Sequence, residues 1–180
     1  VNFSKGESRS PEFLAVNPAG KVPAIRTANG ILGESLAIVN YLAALVSDNL
    51  LVPRDDPWQR ALYDQWTLFA VTELEQPLWT IGKNKFALPK EQRCAEIFPT
   101  AQWEFQKALH LLSEGLGQQS YILGDHFGAA DILLAHTLFW GMAFKQPIEA
   151  ANLRAYMGRI GARPALARAR QREQAALDAA

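Results

Sequence analysis

The sequence predicts a mostly helical α+β chain, in which a small domain that mixes strands with helices precedes an all-helical domain. Short apolar runs on either side of an Asn-Gly pair at 29–30 are typical of a β-hairpin. Beyond residue 57 no alternating strand pattern occurs, and apolar residues recur at helical spacing. A Pro- and Asp-rich stretch lies between the two regions. We therefore expect domains at 1–46 and 57–180, joined by a linker at 47–56.

The first residues are expected to form a strand end, a loop and a short helix. Val1 to Phe3 is expected to end a strand with an open edge, which would invite pairing with another chain, and residues 4–9 to form a polar loop. Ser10 and Pro11 are a favourable N-cap and first helical residue. The helix that they begin is expected to end before Asn17.

Residues 17–45 contain three local signals in order. Val22-Pro23 opens a short strand, where proline removes no needed ladder bond and where the peptide bond can be cis at low cost. The Asn-Gly pair is the expected centre of a tight turn in which both residues need positive φ. Ser35 is the expected N-cap of the helix LAIVNYLAAL, whose first N–H groups attract a carboxylate or phosphate. Together these signals predict a site where the Val22 backbone and Ser35 hold an extended peptide with a terminal carboxylate.

The second region is predicted to consist of helices. Asp56 caps the first, with Pro57 at its first position, and this helix is expected to reach about Ile81. A turn from Lys83 to Pro89 should follow, and then a second helix that Pro99 kinks or splits. The helix predicted at 128–144 is nearly apolar throughout, so it is expected to be buried at the centre of the domain. The expected spans of the second and later helices are 90–115, 128–144, 152–160, and from 164 to a fraying end near 180.

The composition argues against several functions. Lys plus Arg and Asp plus Glu are 18 each, so the chain lacks the basic excess of proteins that bind nucleic acid or membrane surfaces. The single cysteine, Cys94, excludes an internal disulfide and favours a reducing compartment, the cytoplasm. No apolar run approaches the roughly 18 residues of a membrane span. His110, His126 and His136 do not have metal-ligand spacing.

Residues 17–24 read N-P-x-G-K-V-P-A, and residues 34–42 read E-S-x-A-I-x-x-Y-L. Together they resemble the thioredoxin-like, glutathione-binding half of the glutathione S-transferase family, in its bacterial cytosolic type. The resemblance implies a cis bond before Pro23 and a backbone bond from Val22 to the cysteinyl residue of glutathione. It also implies that Glu34 and Ser35 bind the γ-glutamyl carboxylate and that Lys21 contacts the glycyl end. The alternative is a turn, a hairpin and a capped helix that bind no ligand.

Two later segments carry the same resemblance. GDHFGAADILL, at 124–134, resembles the buried-helix signature of the family, in which a hydroxyl N-cap precedes an Asp by three residues. Here Gly128 is the cap, so Asp131 can still bond backwards while the cap offers no side-chain oxygen. Phe127 and Ile132 are placed as a hydrophobic staple. RIGARPALARA, at 159–169, resembles the closing helices, so the resemblance covers nearly the whole chain.

Further site residues are implied in the helical domain. Trp66 and the segment Thr72-Glu73-Leu74 resemble bacterial members, in which the Glu pairs with the α-amino group of the glutathione bound by the partner subunit. Glu73 would then lie at the interface of a homodimer. The alternative interpretation is that Glu73 is an ordinary solvated carboxylate on a helix. Trp66 and Trp140 would line the pocket for the second substrate, while a Trp on a buried helix can also be ordinary core. Cys94 is interpreted as a bystander thiol.

The resemblance implies that the full-length protein conjugates the thiolate of glutathione to a hydrophobic electrophile, in a pocket between the two domains. The family begins with a strand and a helix that carry the catalytic Tyr, Ser or Cys, and this chain is expected to lack both. Little or no turnover by the chain as given is therefore expected. A rival interpretation from another class is a non-catalytic glutathione-binding, dimerisation or docking module, like the family members attached to translation factors.

Overall fold

The structure, a computed structural model, describes residues 1–46 and 51–178. The chain forms two compact units, Val1–Val52 and Pro53–Ala180. Residues 47–50, which belong to the linker predicted at 47–56, lie outside the described residues. The fraying end predicted near residue 180 lies outside them as well.

The first unit combines short helices with one hairpin, and helix α1 begins as predicted. The Ser10 hydroxyl accepts a hydrogen bond from the Phe13 N–H at 3.2 Å, and proline occupies the first turn. The elements of this unit are the 3₁₀ turns Phe3–Lys5 and Glu7–Arg9, helix α1 (Pro11–Val16), strands β1 (Ala24–Thr27) and β2 (Gly30–Gly33), and helix α2 (Ser35–Ala44).

The strand end predicted at Val1 to Phe3 is wrong, and so is the polar loop at 4–9. The 3₁₀ turns Phe3–Lys5 and Glu7–Arg9 occupy most of this segment instead, because local partners take backbone groups that a ladder would need. The Glu7 carboxylate accepts from the Asn2 N–H at 2.6 Å, and the Asn2 side chain accepts from the Lys5 N–H at 3.3 Å. The open strand edge expected at these residues is therefore absent too.

Strands β1 and β2 pair in antiparallel register, from Ala24 opposite Gly33 to Thr27 opposite Gly30. The hairpin is confirmed, but its turn lies one residue earlier than predicted. The two loop residues are 28 and 29, neither of which has positive φ, whereas Gly30 belongs to β2 with φ 131°. The Thr27 hydroxyl accounts for this, because it accepts from the Asn29 N–H at 3.1 Å and donates to the Gly30 carbonyl at 2.9 Å.

The second unit is all-helical within the described residues, as predicted. Asp56 caps its first helix by accepting from the N–H groups of Trp58 and Gln59 at 2.8 and 3.2 Å. Its α-helices are α3 (Pro57–Phe69), α4 (Glu75–Gly82), α5 (Phe98–Leu116), α6 (Ala129–Ala143), α7 (Ala151–Gly161) and α8 (Pro164–Asp178).

Two predictions for this unit are corrected. The segment from Lys83 is not a plain turn, because π-helical turns at Ala70–Leu74 and Lys83–Ala87 extend the first helical stretch beyond Ile81. The second helix does not start at residue 90, and Pro99 neither kinks nor splits it. Helix α5 begins at Phe98, so Pro99 lies in its first turn, where a missing N–H removes no helical bond.

Helix α6 lies in the middle of the second unit and packs against α3, α4 and α7. Nine of its 15 residues are buried, which confirms the prediction of a buried helix. Ile132 and Met142 are its exposed large apolar residues. In the part of the chain that the structure describes, no helix is long and apolar enough to cross a membrane.

Candidate functional site

The hairpin register brings the two N-terminal motifs together. Because Ala24 pairs with Gly33 at the last rung of the ladder, residues 22–23 and residues 34–35 continue from the same end of the hairpin. The turn at 28–29 lies at the other end. Two segments that are separated in sequence thus leave the sheet side by side, next to the start of α2.

The loop before β1 is shaped by Asn17, a residue whose role the sequence analysis missed. Its side-chain amide donates to the Lys21 carbonyl at 2.7 Å, and its Oδ1 accepts from the Ala19 N–H at 3.1 Å. Gly20 has φ 64°, and a Cβ there would lie 2.9 Å from the Ser8 carbonyl oxygen. An Asn two residues before a backbone N–H that it can bond is a recognisable turn signal.

Val22 and Pro23 follow this loop and are exposed, as is Lys21. The Val22-Pro23 peptide bond is cis, as the resemblance implies. Val22 lies outside the β1–β2 ladder, and its backbone makes no hydrogen bond within the described residues. Val22 as a whole residue is 45% exposed. The backbone of Val22 is therefore available to a ligand.

The start of α2 differs from the prediction at Ser35. Ser35 is the first helical residue and not the N-cap; Glu34 holds the cap position with φ 61° and makes no side-chain capping bond. A non-glycine residue in this region of φ is unusual, and such conformations cluster at functional sites. The first N–H groups of a helix have no intrahelical acceptors, so they form a site for an anion. Ser35 is half-buried and Glu34 is exposed at this site.

Glu73 lies in the π-helical turn Ala70–Leu74 of the second unit and is exposed. It lines a groove of about 260 Å³ between the α3–α4 stretch and α5. The groove also contains Trp103, which is 64% exposed, and the Lys107 ammonium lies 5.8 Å from the Trp103 ring centroid. This groove thus combines a carboxylate, a cation and an open aromatic surface.

Trp66 is half-buried within the second unit. Its ring meets the edge of Phe69 at a centroid distance of 5.3 Å and lies directly over Gly115 of α5. A Cβ on Gly115 would lie 2.1 Å from Cη2 of Trp66, so the contact depends on glycine. These contacts are those of a packed side chain, and a role of Trp66 in a substrate pocket stays a prediction.

Trp140 is half-buried at one end of three edge-to-face rings, which we call the aromatic cluster: Trp140, Phe144 and Phe86. Phe144 lies 5.6 Å from Trp140 and 6.3 Å from Phe86, between ring centroids. Phe86 is 60% exposed, so the cluster ends in an open ring face. Apolar and aromatic surface of this kind suits a hydrophobic ligand.

Asp131 is fully buried in α6 and accepts three hydrogen bonds. Oδ2 accepts from the Gly128 N–H at 2.7 Å, which confirms the predicted backward bond. Oδ1 accepts from the Ile122 N–H at 2.9 Å and from the Tyr156 hydroxyl at 2.7 Å. Burial raises the pKa of Asp131, although these donors oppose that shift. The cluster joins α6, α7 and the preceding loop, and its role is structural.

The helix predicted at 90–115 would contain Cys94, but Cys94 lies instead in the connection before α5. It is exposed, and its thiol donates to the Glu96 carboxylate at 3.4 Å. Hydrogen bonds from its own backbone N–H and, to a smaller extent, from the Cys94 thiol lower the pKa of Glu96. Within residues 1–46 and 51–178, no group of His, Cys, Asp and Glu side chains could hold a metal ion.

Comparisons with known proteins match both units. Residues 1–44 match the family model "Glutathione S-transferase, N-terminal domain", and residues 76–164 match "Glutathione S-transferase, C-terminal domain". Glutathione S-transferase GstA of Escherichia coli O157:H7 is 31% identical over 155 residues, which are 85% of this chain and 74% of that protein.

Two further similarities bear on fold and function. The ternary complex of BphK, a bacterial GST, has a TM-score of 0.81 at 29% identity and covers 91% of this chain and 79% of that one. The predicted glutathione S-transferase fold is thereby confirmed. Elongation factor 1-gamma of Prunus avium is 31% identical over 134 residues, which are 74% of this chain but 31% of that protein.

Proposed function

Because the chain belongs to the glutathione S-transferase family, we propose that its first unit binds glutathione and that the protein conjugates the glutathione thiolate to an electrophilic small molecule. One observation carries the binding proposal. The pairing of Ala24 with Gly33 brings Val22 and Pro23 to the same end of the hairpin as Glu34 and Ser35.

Each of these residues then has a distinct chemical role. The N–H and carbonyl of Val22 pair with the cysteinyl backbone of glutathione. The Ser35 hydroxyl and the first N–H groups of α2 bind the γ-glutamyl carboxylate. The Glu34 carboxylate would repel the γ-glutamyl carboxylate. Glu34 therefore contributes to this anion site through its backbone conformation and not through its side chain. Lys21 supplies a positive charge for the glycyl carboxylate.

The second unit supplies the remaining roles. We assign Trp66 and Trp140 to the apolar walls that receive the electrophile. We further propose a cytoplasmic homodimer in which Glu73 of one subunit pairs with the α-amino group of the glutathione bound by the other. Sedimentation at micromolar concentration is expected to show a dimer. A purely monomeric protein would rule out this role for Glu73.

Catalysis in this proposal rests on the thiolate form of the bound thiol. A free cysteine thiol has a pKa of about 8.5 and is mostly protonated at neutral pH, and the thiolate is the nucleophile. Lowering that pKa by hydrogen bonds and positive charge around the sulfur raises the fraction of reactive thiolate. Attack on the electrophile then forms the carbon–sulfur bond and releases the leaving group.

The test separates binding from turnover. We expect retention on immobilised glutathione, elution by free glutathione and a saturable calorimetric titration. Conjugation of a general aryl halide at pH 6.5, measured over a blank without enzyme, tests the transferase activity. A folded chain that neither binds glutathione nor turns over the halide would reject the proposal.

A second candidate function is a non-catalytic docking module. The observation that favours it is the similarity to elongation factor 1-gamma. The matched region makes up 31% of the length of that protein. Such a module needs no glutathione site. Failure of a folded chain to bind immobilised glutathione would favour this candidate, and glutathione binding that Ser35→Ala weakens would count against a module that only docks.

A further inference from the structure

Arg93, in the connection between α4 and α5, uses its whole guanidinium group on main-chain carbonyls. Nε donates to the Leu88 carbonyl at 2.8 Å, Nη1 to that of Lys85 at 3.0 Å and Nη2 to that of Phe86 at 3.0 Å. Arg93 has no carboxylate partner among the described residues. Its charge and its donors are therefore devoted to one short stretch of backbone.

That stretch is the C-terminal end of the π-helical turn Lys83–Ala87. The last carbonyls of a helix have no intrahelical donors, and a cation beside them also interacts favourably with the helix dipole. A guanidinium presents several donors in a fixed plane, which a lysine ammonium cannot reproduce. Arg93 is thus suited to holding several carbonyls in one arrangement.

Two of the three carbonyls belong to residues whose side chains contact Phe144. The Lys85 ammonium lies 5.9 Å from the Phe144 ring centroid, and the Phe86 ring meets it edge to face at an interplanar angle of 86°. Arg93 thus holds the backbone of two residues whose side chains both meet Phe144. Phe86 is the exposed end of the aromatic cluster.

Hydrogen bonds of the neighbouring residue fix the backbone that carries Arg93. The N–H of Cys94 donates to the side chain of Asn84 at 2.9 Å, and the Asn84 amide donates to the Thr80 carbonyl at 2.9 Å. The backbone that carries Arg93 is therefore attached to the same helical stretch whose end the guanidinium holds. The missing side chain of Gly82 lets the rings of Phe86 and Phe144 pack close to this stretch of backbone. A Cβ at residue 82 would lie 3.3 Å from Phe86 and 3.4 Å from Phe144.

We propose that Arg93 is a positioning residue that sets the open ring of Phe86 so that the aromatic cluster selects electrophiles carrying an aromatic ring. The inference rests on the proposed function, in which Trp140 lines the pocket for the electrophile. Arg93 itself touches no substrate. It acts through the main-chain carbonyls of Lys85 and Phe86.

The experiment compares two ligands by calorimetry: glutathione and its S-dinitrophenyl conjugate, which adds an aromatic ring. Under the proposed function, the ratio of their affinities reports how well the pocket for the electrophile accepts the added ring, and it requires no turnover. Arg93→Ala is expected to lower this ratio roughly threefold to tenfold, the range of an aromatic contact, with glutathione affinity unchanged. Phe86→Ala should lower the ratio similarly, and Arg93→Lys should lie between Arg93→Ala and the unmodified chain.

Arg154→Ala is the matched control, because Arg154 also donates to main-chain carbonyls, those of Ile148 and Glu149. It should leave the ratio unchanged. Adding Arg93→Ala to Phe86→Ala should not lower the affinity ratio any further, because both changes act through the Phe86 ring. If Arg93→Ala does not fold, the Arg93→Lys variant and the Phe86→Ala background provide the same comparison.

The outcomes separate the inference from the proposed function. If the unmodified chain binds neither ligand, the proposed function fails. If it binds both and Arg93→Ala leaves the ratio unchanged, the inference fails while the proposed function stands. Equal loss of affinity for both ligands would also reject the inference, because it would indicate general structural damage.

Discussion

The Tyr156 hydroxyl of α7 donates to Oδ1 of Asp131 in α6 at 2.7 Å, and both side chains are fully buried. The same carboxylate accepts from the N–H groups of Ile122 and Gly128. A buried charge is costly unless donors satisfy it, so the second unit depends on all three contacts. The strong rise in the pKa of Tyr156, which burial dominates, keeps its hydroxyl protonated as a donor.

Tyr156→Phe should lower the free energy of unfolding by about 1–3 kcal/mol, because it removes a donor from a buried charged group. Urea unfolding measures this change. The matched control is Tyr121→Phe, since the half-buried Tyr121 ring packs on Phe127 and its hydroxyl makes no hydrogen bond within the described residues. The control should lie within about 0.5 kcal/mol of the unmodified chain. Equal effects would show that the bond to Asp131 contributes nothing.

Asp131 should also make stability depend on pH. Burial raises its folded pKa above the unfolded value of about 3.9, so the folded chain holds the proton more tightly. Its contribution to stability is then largest below about pH 3.9 and is lost as the pH rises through the folded pKa.

The measurement is the free energy of unfolding of the unmodified chain minus that of Asp131→Asn, followed over pH. This difference should decrease as the pH rises through that window. A ¹³C titration of the carboxyl carbon gives the same pKa without a variant. A difference that grows with pH would mean that the three donors outweigh burial.

Gly115→Ala should destabilise the second unit by about 1–3 kcal/mol, the usual cost of overpacking, because the new Cβ would meet the Trp66 ring. Gly158→Ala is the contrasting control. It lies within α7 with nothing within 4 Å of the added Cβ, and it should stabilise by about 0.4–1 kcal/mol. Thermal unfolding compares the two variants. A stable Gly115→Ala protein would show that Trp66 can leave Gly115 at little cost.

Ser35→Ala should weaken glutathione binding by roughly 1–3 kcal/mol, the cost of a lost hydrogen bond to a charged group. Calorimetry measures the affinity. Ser10→Ala serves as the control, because Ser10 caps α1 and its loss should lower stability by about 1 kcal/mol with the affinity unchanged. An unchanged affinity in Ser35→Ala would remove Ser35 from the site.

Gly128→Ser should raise the melting temperature by a few degrees. Gly128 precedes α6 with φ −127° and ψ 177°, an extended conformation that serine adopts readily. Serine would add a side-chain acceptor at the helix start and stiffen the unfolded chain, each worth a few tenths to about 1 kcal/mol. Circular dichroism follows the transition. A lower melting temperature would indicate that this buried position has no room for the hydroxymethyl group.

Local patterns predicted most of the elements. The caps at Ser10 and Asp56 bond N–H groups two or three residues away, so neighbouring residues suffice to identify them. The pattern failed where a side chain competed locally for backbone groups. Thr27 moved the hairpin turn by one residue, and Glu7 took the Asn2 N–H that a strand would have used.

For the candidate site, the motifs at 22–23 and 34–35 could be recognised in the sequence, but the cap position could not. Ser35 is the expected N-cap by residue type, but the backbone places Glu34 at the cap position with a φ of 61°. The Asn17 turn could have been recognised, because its side chain bonds an N–H two residues on. The role of Arg93 could not, because its acceptors are main-chain carbonyls, which every residue carries and which leave no mark in the sequence.

The sequence by itself determined the fold class, the order of most elements and the residues that start the helices, because those features depend on side chains within one turn of the chain. The tertiary structure decided which distant groups meet. The partner of Tyr156 lies 25 residues away in Asp131, and the Trp66 ring rests on Gly115 of another helix. Such pairs follow from how whole helices pack, and packing depends on the combined shape of many side chains.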